Sequence, residues 1–198
     1  MEIDPMDAVE KAEKQSGDRT KRLNMVIAIT VALLASFLGI CKVKDDNIVQ
    51  SMQQMQANKL DHWSYYQARN IREEVAKATL VQLRLAAGSS TAEQKRYQPA
   101  IEAYEKIAVE QRQKKDELKA QAEQDQKDYD AANFRDDQFD MSDALIAIAI
   151  SMLAITALTH QWWFYLLSLV PSALGIVMGC AGFAGWPIHP DGLIRLLS

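Results

Sequence analysis

Two stretches of this chain contain no Asp, Glu, Lys or Arg: residues 23–41 and residues 144–188. A helix rises 1.5 Å per residue, so roughly 20 such residues cross a hydrocarbon core about 30 Å thick. Leu23 to Cys41 supplies one crossing, and the 45 residues from Ala144 to Ile188 supply two. The break in the second stretch falls at Thr159-His160-Gln161-Trp162-Trp163, where a histidine and two tryptophans suit a headgroup layer. The expected crossings are therefore 23–41, 140–159 and 164–187, with a polar N-terminal segment 1–22 and a tail 188–198. Leu23–Cys41 reads as an uncleaved anchor. A signal peptide has a shorter apolar region ending in a small-residue cleavage site, whereas this one runs into Lys42-Val43-Lys44-Asp45-Asp46.

Between the crossings, residues 42–143 hold 35 of the chain's 48 charged residues. No Gly or Pro interrupts the chain from Gly39 to Gly88, which permits an unbroken helix. Gly88-Ser89-Ser90-Thr91 is a turn signal, and Ser90 with Glu93 resembles a capping box. Pro99 suits the first turn of the next helix better than an interior, which gives a second arm from Ala100 to Asp143. Two long arms joined near residues 88–99 predict an antiparallel hairpin. The expected class is an all-α membrane protein: three transmembrane helices, with a coiled-coil-like hairpin inserted between the first and second.

In the second arm, Tyr97, Ile101, Tyr104, Ala108, Gln111, Lys115, Leu118, Ala122, Asp125, Tyr129 and Ala132 follow alternating 4–3 spacing. In the first arm Ile48, Met52 and Met55 start a seam, which Leu60, Trp63, Ile71, Val75, Ala78 and Leu85 continue in a shifted register. Trp63, Tyr66, Ile71, Tyr104 and Leu118 are the expected hairpin interface. An isolated two-helix hairpin buries little, so self-association is expected, although an unlike membrane-protein partner would serve equally well. Five basic residues precede the first crossing, and Lys42 and Lys44 follow it. That contrast places the N-terminus in the cytoplasm and the hairpin outside.

Several segments of this chain resemble the bacterial domain-of-unknown-function 4337 family. They are Val31–Glu74, Phe134–Asp140, Val170–Gly175 and the end from Ile188 to Arg195. The resemblance implies a Gram-negative inner-membrane protein and brings no catalytic residues.

Residues 23–41 and 144–188 contain no carboxylate, Lys or Arg, which counts against a pump or secondary transporter. Thr30, Ser36, Ser151, Thr156, Thr159, Ser168 and Ser172 read as interhelical glue before they read as a pore lining. Gly175, Gly179, Gly182 and Gly185, at spacings of 4, 3 and 3, form a small-residue stripe for close packing against the second crossing or another subunit. Asp45, Asp46, Asp136, Asp137, Asp140 and Asp143 gather where the arms meet the membrane: a solvated surface, or a cation collar. Isolated His62, His160 and His189 offer no metal-ligand spacing, and Cys41 and Cys180 read as buried small hydrophobes. No cofactor or phosphate motif is present, and the net charge of −4 argues against nucleic acid. The expectation is a non-catalytic scaffold in the bilayer. Its alternatives are an accessory subunit of another membrane complex and a homo-oligomeric cation channel.

Overall fold

A computed structural model describes residues 5–88 and 90–188, with side chains from Gly17 onward. Those residues form three helices and no strand: α1 (Pro5–Ala87), α2 (Thr91–Thr159) and α3 (Trp162–Ala184). Each contains a stretch long and apolar enough to cross a membrane. Residues 189–198 of the expected tail lie outside the described residues.

The helix ends follow local chemistry. After Ala87 the chain turns at Gly88, whose φ of 52° is open to glycine at little cost. The Ser90 carbonyl accepts the first bond of α2 from the Gln94 N–H at 2.9 Å, with Glu93 in the first turn. Pro99 therefore lies inside α2, not in its first turn, because α2 begins at Thr91. The α2–α3 turn falls where the sequence places it. His160 takes a φ of 53°, and Gln161 is extended and opens α3. Gly185 closes α3 in the left-handed region (φ 66°, ψ 35°), and the Trp186 N–H bonds the Ala181 carbonyl at 3.1 Å. That is a Schellman-type ending, which needs a residue tolerant of positive φ. Pro171 removes the N–H that would bond the Leu167 carbonyl. The Ser168 and Ser172 hydroxyls do not replace it; they donate to the carbonyls of Tyr165 and Ser168.

The chain divides into two compact units. One comprises Met1–Val49 with Asn133–Ser198, and the other Gln50–Ala132. In the first, Leu23, Ile27 and Leu34 of α1 are buried with Ile146, Ala149 and Leu153 of α2. Phe37, Leu38, Ile150 and Tyr165 pack against them, and the hydroxyls of Thr30 and Tyr165 share a hydrogen bond at 3.2 Å. The outward faces carry exposed Ile29, Leu33, Ile40, Ile155, Leu158, Leu166 and Leu174. So much contiguous apolar surface suits contact with lipid and not with water.

In the second unit, α1 and α2 are joined by polar contacts whose sequence separation falls steadily. His62–Asp125 spans 63 residues, Arg69–Gln111 spans 42 and Arg84–Glu105 spans 21. The residues of the predicted second-arm seam, Tyr97 through Ala132, are all buried or half-buried. The first arm differs from its expected seam. Its inward positions are Met52, Met55, Lys59, His62, Tyr66, Arg69, Glu73, Ala76, Leu80, Leu83 and Ala87, one unbroken 4–3 register. Leu60, Ile71, Val75 and Leu85 instead face outward, each more than half exposed. The apolar residues misled because four of the inward positions are ionisable, each matched by a polar residue of α2.

Candidate functional site

In lipid, apolar side chains gain nothing by leaving one apolar medium for another, so close contact and hydrogen bonds decide helix packing. The glycine stripe supplies the close contact, and its partners belong to this same chain. A Cβ on Gly175 would stand 2.7 Å from Ile146 Cγ1, 3.2 Å from the Ser142 carbonyl oxygen and 3.3 Å from the Ile146 nitrogen. At Gly179 it would meet the Phe37 ring at 2.7 Å and Ser142 Oγ at 2.9 Å, and at Gly182 the Phe139 ring at 2.9 Å. Gly185 lies beside the Arg135 guanidinium, with 3.3 Å to a notional Cβ. α3 thus rests on α2 along the stripe and touches α1 at Phe37.

Ser142 and Gln138, absent from the sequence reading, complete this contact. Ser142 Oγ, fully buried, donates to the Gly175 carbonyl at 2.8 Å. Gln138, also fully buried, donates through Nε2 to the carbonyls of Trp186 and Ile188, both at 2.8 Å. Those two bonds hold the segment that follows α3. Their spacing of four puts Gln138 and Ser142 on one face of α2, and that spacing is the sequence signal that marks them. Of the seven Ser and Thr expected as glue, all but Thr30 donate only to carbonyls of their own helix. Thr30 also reaches Tyr165. Cys41 is buried and Cys180 exposed, and both are free.

The acidic residues are unequally placed. Asp45 is 4% exposed, whereas Asp46 and Asp140 are exposed and Asp136, Asp137 and Asp143 half-buried. Lys42 Nζ contacts Asp45 Oδ2 at 2.8 Å and Asp46 at 3.8 Å. The Asp45 carboxyl lies beside Asp136. Burial, then that neighbouring carboxyl and its charge, push the Asp136 carboxyl up to about 7. Asp136 Oδ1 and Asp45 Oδ1 are both buried and have no hydrogen-bond partner among the described residues. Among the described residues, no group of three or more His, Cys, Asp or Glu is arranged to hold a metal ion.

In the unit Gln50–Ala132, Trp63 and Tyr66 are half-buried and meet edge to face at 5.3 Å between ring centroids. Tyr104 and Leu118 are half-buried. Ile71 is 63% exposed and lies at the rim of an open cavity of about 240 Å³, lined also by Val75, Tyr104, Ile107 and Gln111. The buried centre is ionic. Glu73, 2% exposed, stands 2.6 Å from both Lys115 and Lys77. Lys115, then Lys77, holds the Glu73 carboxyl below its usual range. Lys115 also donates to Asn70 at 3.3 Å, His62 Nδ1 sits 2.6 Å from Asp125, and Lys59 donates to Gln126.

A comparison with family models matches residues 23–185 to a family described as a domain of unknown function, DUF4337. The chain belongs to this family. The match covers all three helices' apolar stretches and the whole second unit, and with them the resembling segments Val31–Glu74, Phe134–Asp140 and Val170–Gly175; the segment from Ile188 to Arg195 lies beyond it. No curated protein and no solved structure matches the chain.

Proposed function

We propose that this DUF4337 protein is a non-catalytic scaffold of the bacterial inner membrane, assembled from copies of itself. Three crossings anchor it, the N-terminus is cytoplasmic, and Gln50–Ala132 forms an antiparallel helical hairpin in the periplasm. The observation that carries this reading is the outward face of α1. Ile71 (63% exposed), Val75 (58%) and Leu85 (76%), with Ala78 between them, follow 4–3 spacing in a part of the chain rich in charge. A charged, water-facing segment gains by covering such a stripe, and a second copy carries the same heptad-spaced surface. The buried face of each hairpin is already occupied by ion pairs, so the stripe is free for association. The absence of Asp, Glu, Lys and Arg from residues 23–41 and 144–188 supports a structural role over ion-coupled transport.

Two differently tagged copies, expressed together and extracted in mild detergent, test this. One tag is expected to bring down the other, and the triple substitution Ile71→Lys, Val75→Lys, Leu85→Lys in both copies is expected to abolish that capture. Recovery of an unlike membrane protein in place of the second copy would instead make the chain an accessory subunit.

A further inference from the structure

We infer that Asp45 of α1 and Asp136 of α2 form a proton-binding site that clasps the two helices together and releases them as pH rises. The inference is independent of the scaffold reading, since it concerns one chain's own packing.

The geometry comes first. Asp45 is 4% exposed, and Lys42 occupies only its Oδ2, leaving Oδ1 buried without a donor. Asp136 presents its own buried Oδ1, which also has none. The two carboxyls are neighbours. Two carboxylates are acceptors only, so neither buried oxygen can satisfy the other unless one of them keeps a proton. Without it, two negative charges share a partly buried space and repel.

The surroundings favour the proton. On α2, Asp137 and Asp140 add negative charge near Asp136, and Asp140 in turn feels Asp143. On α1 the nearest paired cation, Lys42, is already engaged with Asp45 and Asp46. α3 carries no Asp, Glu, Lys, Arg or His from Trp162 to Ala184, so it offers no compensating charge. Asp136 thus keeps a proton that the unfolded chain gives up. Between the ordinary value of 3.8 and about 7, the folded state binds more protons than the unfolded state. Stability from this pair is complete below that window, falls as pH rises through it, and is flat above.

Thermal melting of the purified protein in detergent, at pH 5 and pH 8, tests the site. The wild type is expected to melt lower at pH 8. Asp136→Asn supplies an N–H₂ that donates to Asp45 Oδ1 at any pH. It is expected to remove most of the difference and to melt above wild type at pH 8. Asp46→Asn, which removes a nearby exposed charge, is expected to keep the wild-type drop. If Asp136→Asn and wild type fall in parallel, the pair holds no functional proton. If millimolar magnesium at pH 8 restores the melting temperature of wild type but not of Asp136→Asn, the bridging ligand is a cation, and the proton site is overturned.

Discussion

Gly175→Leu is expected to be among the most damaging single changes in the unit that holds the three apolar stretches. A Cβ alone would press within 2.7 Å of Ile146 Cγ1 and within 3.3 Å of two backbone atoms of α2. Side chains can rotate away from an intruder, but the backbone of a packed helix cannot. The same substitution would also strain the bond from Ser142 Oγ to the Gly175 carbonyl. Overpacking of this kind costs about 1–3 kcal/mol, toward the upper end where backbone must move. The melting temperature in detergent should fall clearly. Gly39→Leu is the matched control, because nothing within the chain lies within 4 Å of its Cβ position. Gly179→Leu should fall between them, since its nearest neighbours are the Phe37 ring and a hydroxyl. Equal melting of Gly175→Leu and Gly39→Leu would mean that α3 does not rest on α2 along this stripe.

The second large effect is expected at Glu73. Its carboxylate is 2% exposed and stands 2.6 Å from two lysines, of which Lys115 is itself mostly covered. Glu73→Leu removes the anion and leaves Lys115 facing an apolar side chain across the α1–α2 contact. Losing one member of such a pair costs about 1–3 kcal/mol, because the remaining charge is left poorly compensated. Replacing both, Glu73→Leu with Lys115→Leu, should recover most of that loss, as apolar pairs of similar size pack well where ion pairs stood. The pH dependence has a defined sign. The folded state holds Glu73 below its ordinary value of 4.5. The contribution is therefore complete above about that pH and fades as pH falls through the lowered value. Glu73→Leu should flatten this acid limb of the stability curve. It runs opposite to the limb expected of Asp136, which weakens as pH rises.

The fold was legible where one physical constraint dominates. Absence of charge located the apolar stretches, and the turn at His160 followed from the one place in residues 144–188 where a histidine stands beside two tryptophans. Second-arm spacing also held, because its seam keeps enough Tyr, Ile, Leu and Ala to be seen. The first-arm register was misread for a physical reason. A helix in a water-soluble setting is read by its apolar stripe, and here the apolar stripe of Ile71, Val75 and Leu85 lies outside while Lys59, His62, Arg69 and Glu73 lie within. Only knowledge of the partners, Gln126, Asp125, Gln111 and Lys115, makes that face intelligible as an interior. Pro99 was misplaced because a capping signal at Ser90 and a proline nine residues later both claim the helix start. The acidic residues were visible as a group, but burial singles out Asp45 among them. Which carboxylate is shielded from water depends on packing between α1 and α2, and one chain's sequence does not display it.

The central claim is self-association through the outward face of α1. The most direct measurement is the protein mass of the detergent-purified particle, with the detergent contribution subtracted by light scattering and refractive index. The account predicts two or more whole copies of the 22.2 kDa chain, reduced to a single chain by Ile71→Lys, Val75→Lys, Leu85→Lys. A wild-type mass of one chain, with helical content and melting intact, would contradict it.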